Sequence, residues 1–398
     1  MVISKNAKKA IMLGTLCSVS YLAVYIARNI LSAVTPQMVE AGFSEAYIGS
    51  VSSIYLIMYA CGQMINGLIG DKIKAKWMIG FGLLGAGVTN FIFSRIVLMP
   101  TMALVVYGIT GFFLSMIYGP MTKVVSENTE LIYATRCSLG YTFASFFGSP
   151  AAGLLATFLA WDSVFSVGSG FLVVMALLVM LVFTAFEKRG IVKYGQYQKQ
   201  EKGLKNIKVL LKHQIVKYSL VSILTGVVRT SVVFWLPTYI AQHLNFASEK
   251  ATMLFSVATF IISFTTFIAV FIYEKLGHDM DKTVLIMFCS SAVFFLLTYF
   301  VHLTALNLVF IVLAIMGSNG AATMLWSRYC PSLRDTGMVS SATGFLDCLS
   351  YAAAALANLI FANAAPAIGW GNLILVWFGI VLVGVVIALP YKKMKKAE

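Results

Sequence analysis

The sequence is a succession of apolar runs, each long enough to cross a bilayer, joined by short connectors that carry nearly all the charge. Runs near 11–34, 47–69, 77–97, 99–122, 137–160, 164–186, 218–241, 251–273, 283–301, 303–326, 338–362 and 370–391 each supply about 20 residues. That length spans a hydrocarbon layer of roughly 30 Å as a helix. Inside lipid the backbone must satisfy its own hydrogen bonds, and runs this long do so by coiling. The pattern therefore predicts an all-α integral membrane protein with twelve transmembrane helices. Composition agrees, with 60% hydrophobic and only 11% charged residues, against roughly 25% charged in a soluble domain.

The one long polar stretch, 187–217, divides the runs six and six. The expected organisation is a six-helix half over 1–186, a basic linker over 187–217 and a second six-helix half over 218–398. The linker holds nine Lys/Arg against Glu187 and Glu201. Lysine and arginine concentrate on the cytoplasmic side of membrane proteins, which sets the orientation. With both termini, the linker and every even-numbered connector in the cytoplasm, 25 of the 29 Lys/Arg lie on that side. The opposite face holds only Arg95 and Lys250. A multi-pass protein of the cell membrane with both termini cytoplasmic is expected. The net charge of +14 then records topology, and nucleic acid is excluded as a partner. Lys5, Lys8 and Lys9 precede the first span without a cleavage site after it, so they flank a helix and not a signal peptide.

Two basic residues remain, Arg28 and Arg229, and both fall inside spans. They occupy equivalent places, because Pro36 follows Arg28 by eight positions and Pro237 follows Arg229 by eight. Phe43 and Phe246 are 203 apart, as are Asp71 and Glu274, and Lys72 and Lys275. The halves thus read as a parallel duplication, an architecture that holds substrate near the bilayer midplane.

Burying an arginine at mid-membrane costs ~2.5 kcal/mol or more, so these two need a reason. A structural ion pair would supply one, but of the fifteen acids only Asp347 lies well within a span. One carboxylate cannot neutralise two guanidiniums, and an anionic ligand is the expected partner. Guanidinium suits the task because its planar fork grips phosphate or carboxylate oxygens in pairs and stays protonated. Tyr25 and Tyr21 precede Arg28 by three and seven residues, which places Tyr25 near its face and Tyr21 one turn further along. Their hydroxyls suit either an anion site or interhelical packing; Asn29 points about 100° away. Asp347 is the candidate for a proton-carrying acid, or for a salt bridge with one arginine. The four histidines fall in connectors, so no histidine relay is expected. Asp71, Lys72 and Glu274 end spans on the cytoplasmic side and read as gating charges. The six cysteines show no metal-ligand spacing and read as packing residues. No phosphate-binding loop occurs, and neither an enzyme, a cofactor nor a metal is expected. Energy must come from exchange or an ion gradient.

The GxxxD-K segment at 67–72, with twelve spans in two halves, resembles the major facilitator superfamily. YIARNILSAVTPQMVEAGFS (25–44) and VVRTSVVFWLPTYI (227–240) resemble the first- and seventh-helix segments of its organophosphate:phosphate antiporter family. The resemblance implies a monomer that exchanges organic phosphate for inorganic phosphate by rocking of its halves. It also implies that Arg28 and Arg229 bind the phosphate group, with Tyr21 and Tyr25 as supporting donors and Tyr351 lining the same cavity. Three positions depart from the family. Gln63 stands where relatives carry a lysine, Phe143 where one carries a histidine, and Gly226 where one carries a tyrosine. With Asp347 added, a sugar acid or other carboxylate moved by proton symport is the alternative cargo. A transporter-like sensor of phosphate esters is the reading of another class.

Overall fold

The structure, a computed structural model, describes residues 5–69, 73–194, 211, 213–333 and 339–389. All regular structure among them is helical. In chain order the helices are α1 (Lys5–Glu40), α2 (Glu45–Ile69), α3 (Ala75–Ile96), α4 (Pro100–Ser115), α5 (Tyr118–Asn128), α6 (Leu131–Phe146), α7 (Gly148–Phe158) and α8 (Trp161–Lys188). The second half has α9 (Ile215–Gly226), α10 (Val233–Gln242), α11 (Ser248–Ser263), α12 (Thr265–Lys275), α13 (Met280–Phe300), α14 (Thr304–Met324), α15 (Cys330–Ser332) and α16 (Val339–Ala388). Two wider π-helical turns interrupt it, Val227–Val232 between α9 and α10 and Leu325–Tyr329 after α14.

Ten helical segments among the described residues are long and apolar enough to cross a membrane. One of them, Ala342–Ala388, has 47 residues, or about 70 Å at 1.5 Å per residue, more than twice the hydrocarbon thickness. It breaks at Gly369, whose φ of 77° and ψ of 158° are non-helical, and so makes two crossings. The pair α6–α7, joined at Phe147, supplies the remaining crossing. Twelve spans follow among the described residues, as expected. Large apolar side chains such as Leu181, Phe267, Phe271 and Ile360 stand exposed on their outer faces. Patches of that kind are scarce on soluble monomers and face lipid here.

Several expected spans are built in two pieces. α4 gives way to α5 at Met116–Ile117, and α11 to α12 at Phe264. α1 is longer than its apolar run because the helix continues through polar flanks at both ends.

Contacts divide the chain into two units. The first contains Met1–Gly203 together with Phe234–Phe260 and Ala355–Asn363. Within it α1 packs on α6, α7 and α8, and α3 on α4 and α8. The stretches from the second half join through buried hydrogen bonds. Ser32 Oγ donates to Phe234 O and Ser53 Oγ to Ala355 O, each at 2.7 Å. Asn358 Nδ2 donates to Ser52 Oγ at 2.7 Å. The polar end of this unit is fastened by Lys76–Glu187 at 2.5 Å, and by Asn128, which exchanges hydrogen bonds with the backbone of Lys193.

The second unit contains Leu204–Val233, Ile261–Ala354 and Ala364–Glu398. Its α13 and α14 approach closely because position 317 has no side chain. A Cβ on Gly317 would lie 2.7 Å from Ser291 N and 2.8 Å from Met287 O. Asp281 ties the start of α13 to α9, accepting from Lys217 Nζ at 3.0 Å and Tyr218 Oη at 2.7 Å. The Tyr218 ring stacks on Tyr329 at 3.9 Å.

Candidate functional site

In the first unit Arg28 lies on α1, half-buried, with its guanidinium against two rings. Its Cζ is 5.5 Å from the Tyr25 ring centre and 5.2 Å from that of Tyr59. Both fall within the range where a cation is attracted to an aromatic face. Tyr25 arrives from the preceding turn of α1, as helical spacing requires, and Tyr59 from α2. Gln63 sits one turn beyond Tyr59 and is half-buried. Asn29 Nδ2 donates to Tyr25 O at 2.6 Å, back along its own helix.

Tyr21 is buried at the centre of a tyrosine cluster. Its ring centre is 4.9 Å from Tyr25, 5.4 Å from Tyr118 and 6.2 Å from Tyr141. Tyr118 is 38% exposed, so one edge of the cluster is open. The arrangement offers a fixed cation, aromatic faces and phenolic hydroxyls, which suits an anion attached to a small organic body. Tyr59 stands four residues before Gln63, and that spacing could have revealed it. Tyr118 and Tyr141 lie on other helices, and nothing in their local sequence marks them. The side chain of Phe143 lies outside the described residues.

In the second unit Arg229 occupies the π-helical turn Val227–Val232 and is exposed, although its span is apolar. Tyr351 is buried and Asp347 half-buried on α16, one turn apart and so on one face. Asp347 is an electrostatic neighbour of Cys330, just past the end of the α14 span. Burial, with the Asp347 charge adding to it, raises the Cys330 thiol to about 11. Gly226 abuts α16, where a Cβ would lie 2.6 Å from Ser350 O. A tyrosine cannot occupy that position without moving α16.

Among the expected gating charges, Asp71 and Lys72 lie outside the described residues. Glu274 is exposed at the end of α12, and its carbonyl accepts from Gly277 N at 3.1 Å. The polar fastening of this unit falls to Asp281, which sequence reasoning passed over. Two aspartates share the segment HDMDK: Asp279 caps α13 by accepting from Lys282 N at 3.0 Å, which leaves Asp281 for pairing.

The chain matches the Major Facilitator Superfamily over residues 17–358. It is 22% identical to the glycerol-3-phosphate transporter of Bacillus subtilis, with 96% of this chain and 92% of that protein aligned. It is 26% identical to the phosphoglycerate transporter protein of Salmonella typhimurium, over 91% and 84% of the two chains. A bacterial homolog of the human lysosomal transporter Spinster, solved inward-facing and unoccupied, shares the fold with a TM-score of 0.78 at 10% identity, over 97% of each chain. The family match across most of the length and the helical crossings among the described residues agree: the chain is a multi-pass membrane transporter and belongs to the Major Facilitator Superfamily.

Proposed function

We propose that this transporter exchanges an organic phosphate for inorganic phosphate by alternating access, with Arg28 and Arg229 as the ligands of the phosphate group. The observation that carries this reading is the state of Arg28, held half-buried inside a span against the faces of Tyr25 and Tyr59. Ring faces on a guanidinium fix its orientation, and its planar fork suits the paired oxygens of a phosphate. Arg229, exposed within an apolar span, supports the same reading from the second unit. The two full-length relatives are named for glycerol 3-phosphate and phosphoglycerate, both phosphate monoesters. A small phosphate ester is the favoured substrate class. Tyr21, Tyr25, Tyr351 and Gln63 complete the proposed site.

The proposal includes the arrangement that such a cycle needs. Residues 1–186 and 218–398 act as two six-helix halves joined by the 187–217 linker. The protein works as a monomer in the cell membrane, with both termini and the linker in the cytoplasm and Asp71, Lys72 and Glu274 at the gate on that side.

The test is flux through purified protein in liposomes loaded with inorganic phosphate. Exchange of labelled phosphate without a pH gradient is expected. Arg28→Lys and Arg229→Lys should each abolish it at unchanged expression, because an ammonium loses the two-pronged geometry. Uptake that requires inward protons and collapses on Asp347→Asn would instead establish anion symport. Binding without flux would establish a sensor.

A further inference from the structure

The turn that carries Arg229 has a winding imposed by its neighbour. Along α9 and the π-helical turn, Ser222, Gly226 and Ser231 all meet α16. Ser222 Oγ donates to Leu346 O at 2.7 Å, Gly226 abuts Ser350, and Ser231 Oγ donates to Ala354 O at 2.7 Å. Both serines are completely buried.

The partners on α16 are spaced four and four, which is one face of an α-helix. The contacts on the seventh span are spaced four and then five. In a regular α-helix, nine residues turn through about 900°, so Ser222 and Ser231 would point to opposite sides. A π-helical turn takes up one extra residue. With it, the nine residues turn like eight, and both serines reach the same neighbour. The N–H of Val233 accordingly donates to Val228 O, five residues back. Arg229 lies inside that five-residue step.

The first half offers an internal comparison. Its arginine has the same spacing to a following proline, yet α1 is wound as an α-helix throughout, and Ile30 stands where the second half has Ser231. Arg28 is half-buried against its rings, whereas Arg229 is exposed. The extra residue in the turn is therefore a matter of winding and not of insertion.

We infer that Ser231 is the positioning residue for Arg229: its hydrogen bond to Ala354 O holds the wide turn open and so directs the guanidinium outward. This rests on Arg229 being an anion ligand. Without the bond the turn relaxes to α-helix, one flank rotates by about 100° against the other, and Arg229 leaves its place.

The test separates side-chain placement from phosphate recognition. In full-length protein with its six cysteines replaced, Arg229→Cys is titrated with a charged, water-soluble methanethiosulfonate. Adding Ser231→Ala should slow modification at least fivefold, and Ser231→Thr should restore it. Ser222→Ala, which removes the same kind of bond outside the turn, should leave the rate within twofold. With Arg229 intact, Ser231→Ala should raise the half-saturating concentration of inorganic phosphate about tenfold and change the maximal exchange rate little. Ser231→Gly serves as a second variant without the hydroxyl should the alanine form not purify as a single species. Equal modification rates with and without the Ser231 hydroxyl, or equal effects of Ser222→Ala and Ser231→Ala, overturn the inference. If the phosphate reading alone is wrong, the parent shows no phosphate exchange while the labelling contrast remains.

Discussion

Arg28 and Arg229 each precede a proline by eight residues, yet they stand in different surroundings. Arg28 is steadied by Tyr25 and Tyr59, and Arg229 is carried on a turn shaped by the neighbouring helix. The residue type and its depth were legible, because no other basic side chain sat so far from a connector. Tyr25 was legible for the same reason, since it shares a helix with Arg28. Tyr59, Tyr118 and Tyr141 depend on which helices become neighbours, and one chain in isolation does not encode that locally. A smaller residue-scale effect concerns Asp279. The backbone N–H of Lys282 lies against its carboxylate, which holds the group below its ordinary range, and the Lys282 side chain adds to this. A carboxylate with a depressed folded pKa stabilises above its unfolded value and loses that contribution as pH falls through the folded one. Asp279→Ala should therefore lower stability near pH 7 by about 0.5–1 kcal/mol, the usual effect of losing a helix cap. The difference should shrink as pH is taken below ~4. Thermal melts of the detergent-purified protein across that range provide the check.

At the scale of elements, hydropathy located the spans but not their interruptions. The apolar run at 99–122 contains the junction at Met116–Ile117, and that at 251–273 the junction at Phe264. Gly119 and Pro120 closely follow Met116–Ile117 and favour a break there. Phe147 is alike, followed by Gly148 and Pro150, where the local residues also favour a break. Phe264 has no proline or glycine beside it. The π-helical turn is hidden in the same way, because its cause lies in the carbonyls of α16. Glycine placement is legible only as an excess of small residues, while the structure shows which contact each one permits. Gly317→Ala should lower stability by about 1–3 kcal/mol, since its methyl would press on the backbone of α13 at Ser291 and Met287. A fall of several degrees in melting temperature is expected. Gly344→Ala, where a Cβ meets nothing within 4 Å, is the control.

At the scale of the molecule, the charge partition carries the strongest prediction. Placing 25 of 29 Lys/Arg on one side requires that the linker face the cytoplasm. A single cysteine at Lys199 should resist an impermeant maleimide in intact cells and react after permeabilisation. One at Lys250 should react in both. The reverse pattern would invert the topology and with it the proposed gate.

The sequence alone determined that this chain lives in a membrane, how many times it crosses, and which two charges the bilayer leaves unexplained. Those conclusions rest on solvation, which acts on each residue wherever its neighbours are. Only the tertiary structure decided that the Tyr59 ring also meets Arg28, that Gly226 must be small, and that Arg229 rides on a turn of five. Each depends on which helices meet, and that is set by packing and interhelical hydrogen bonds and leaves no local mark.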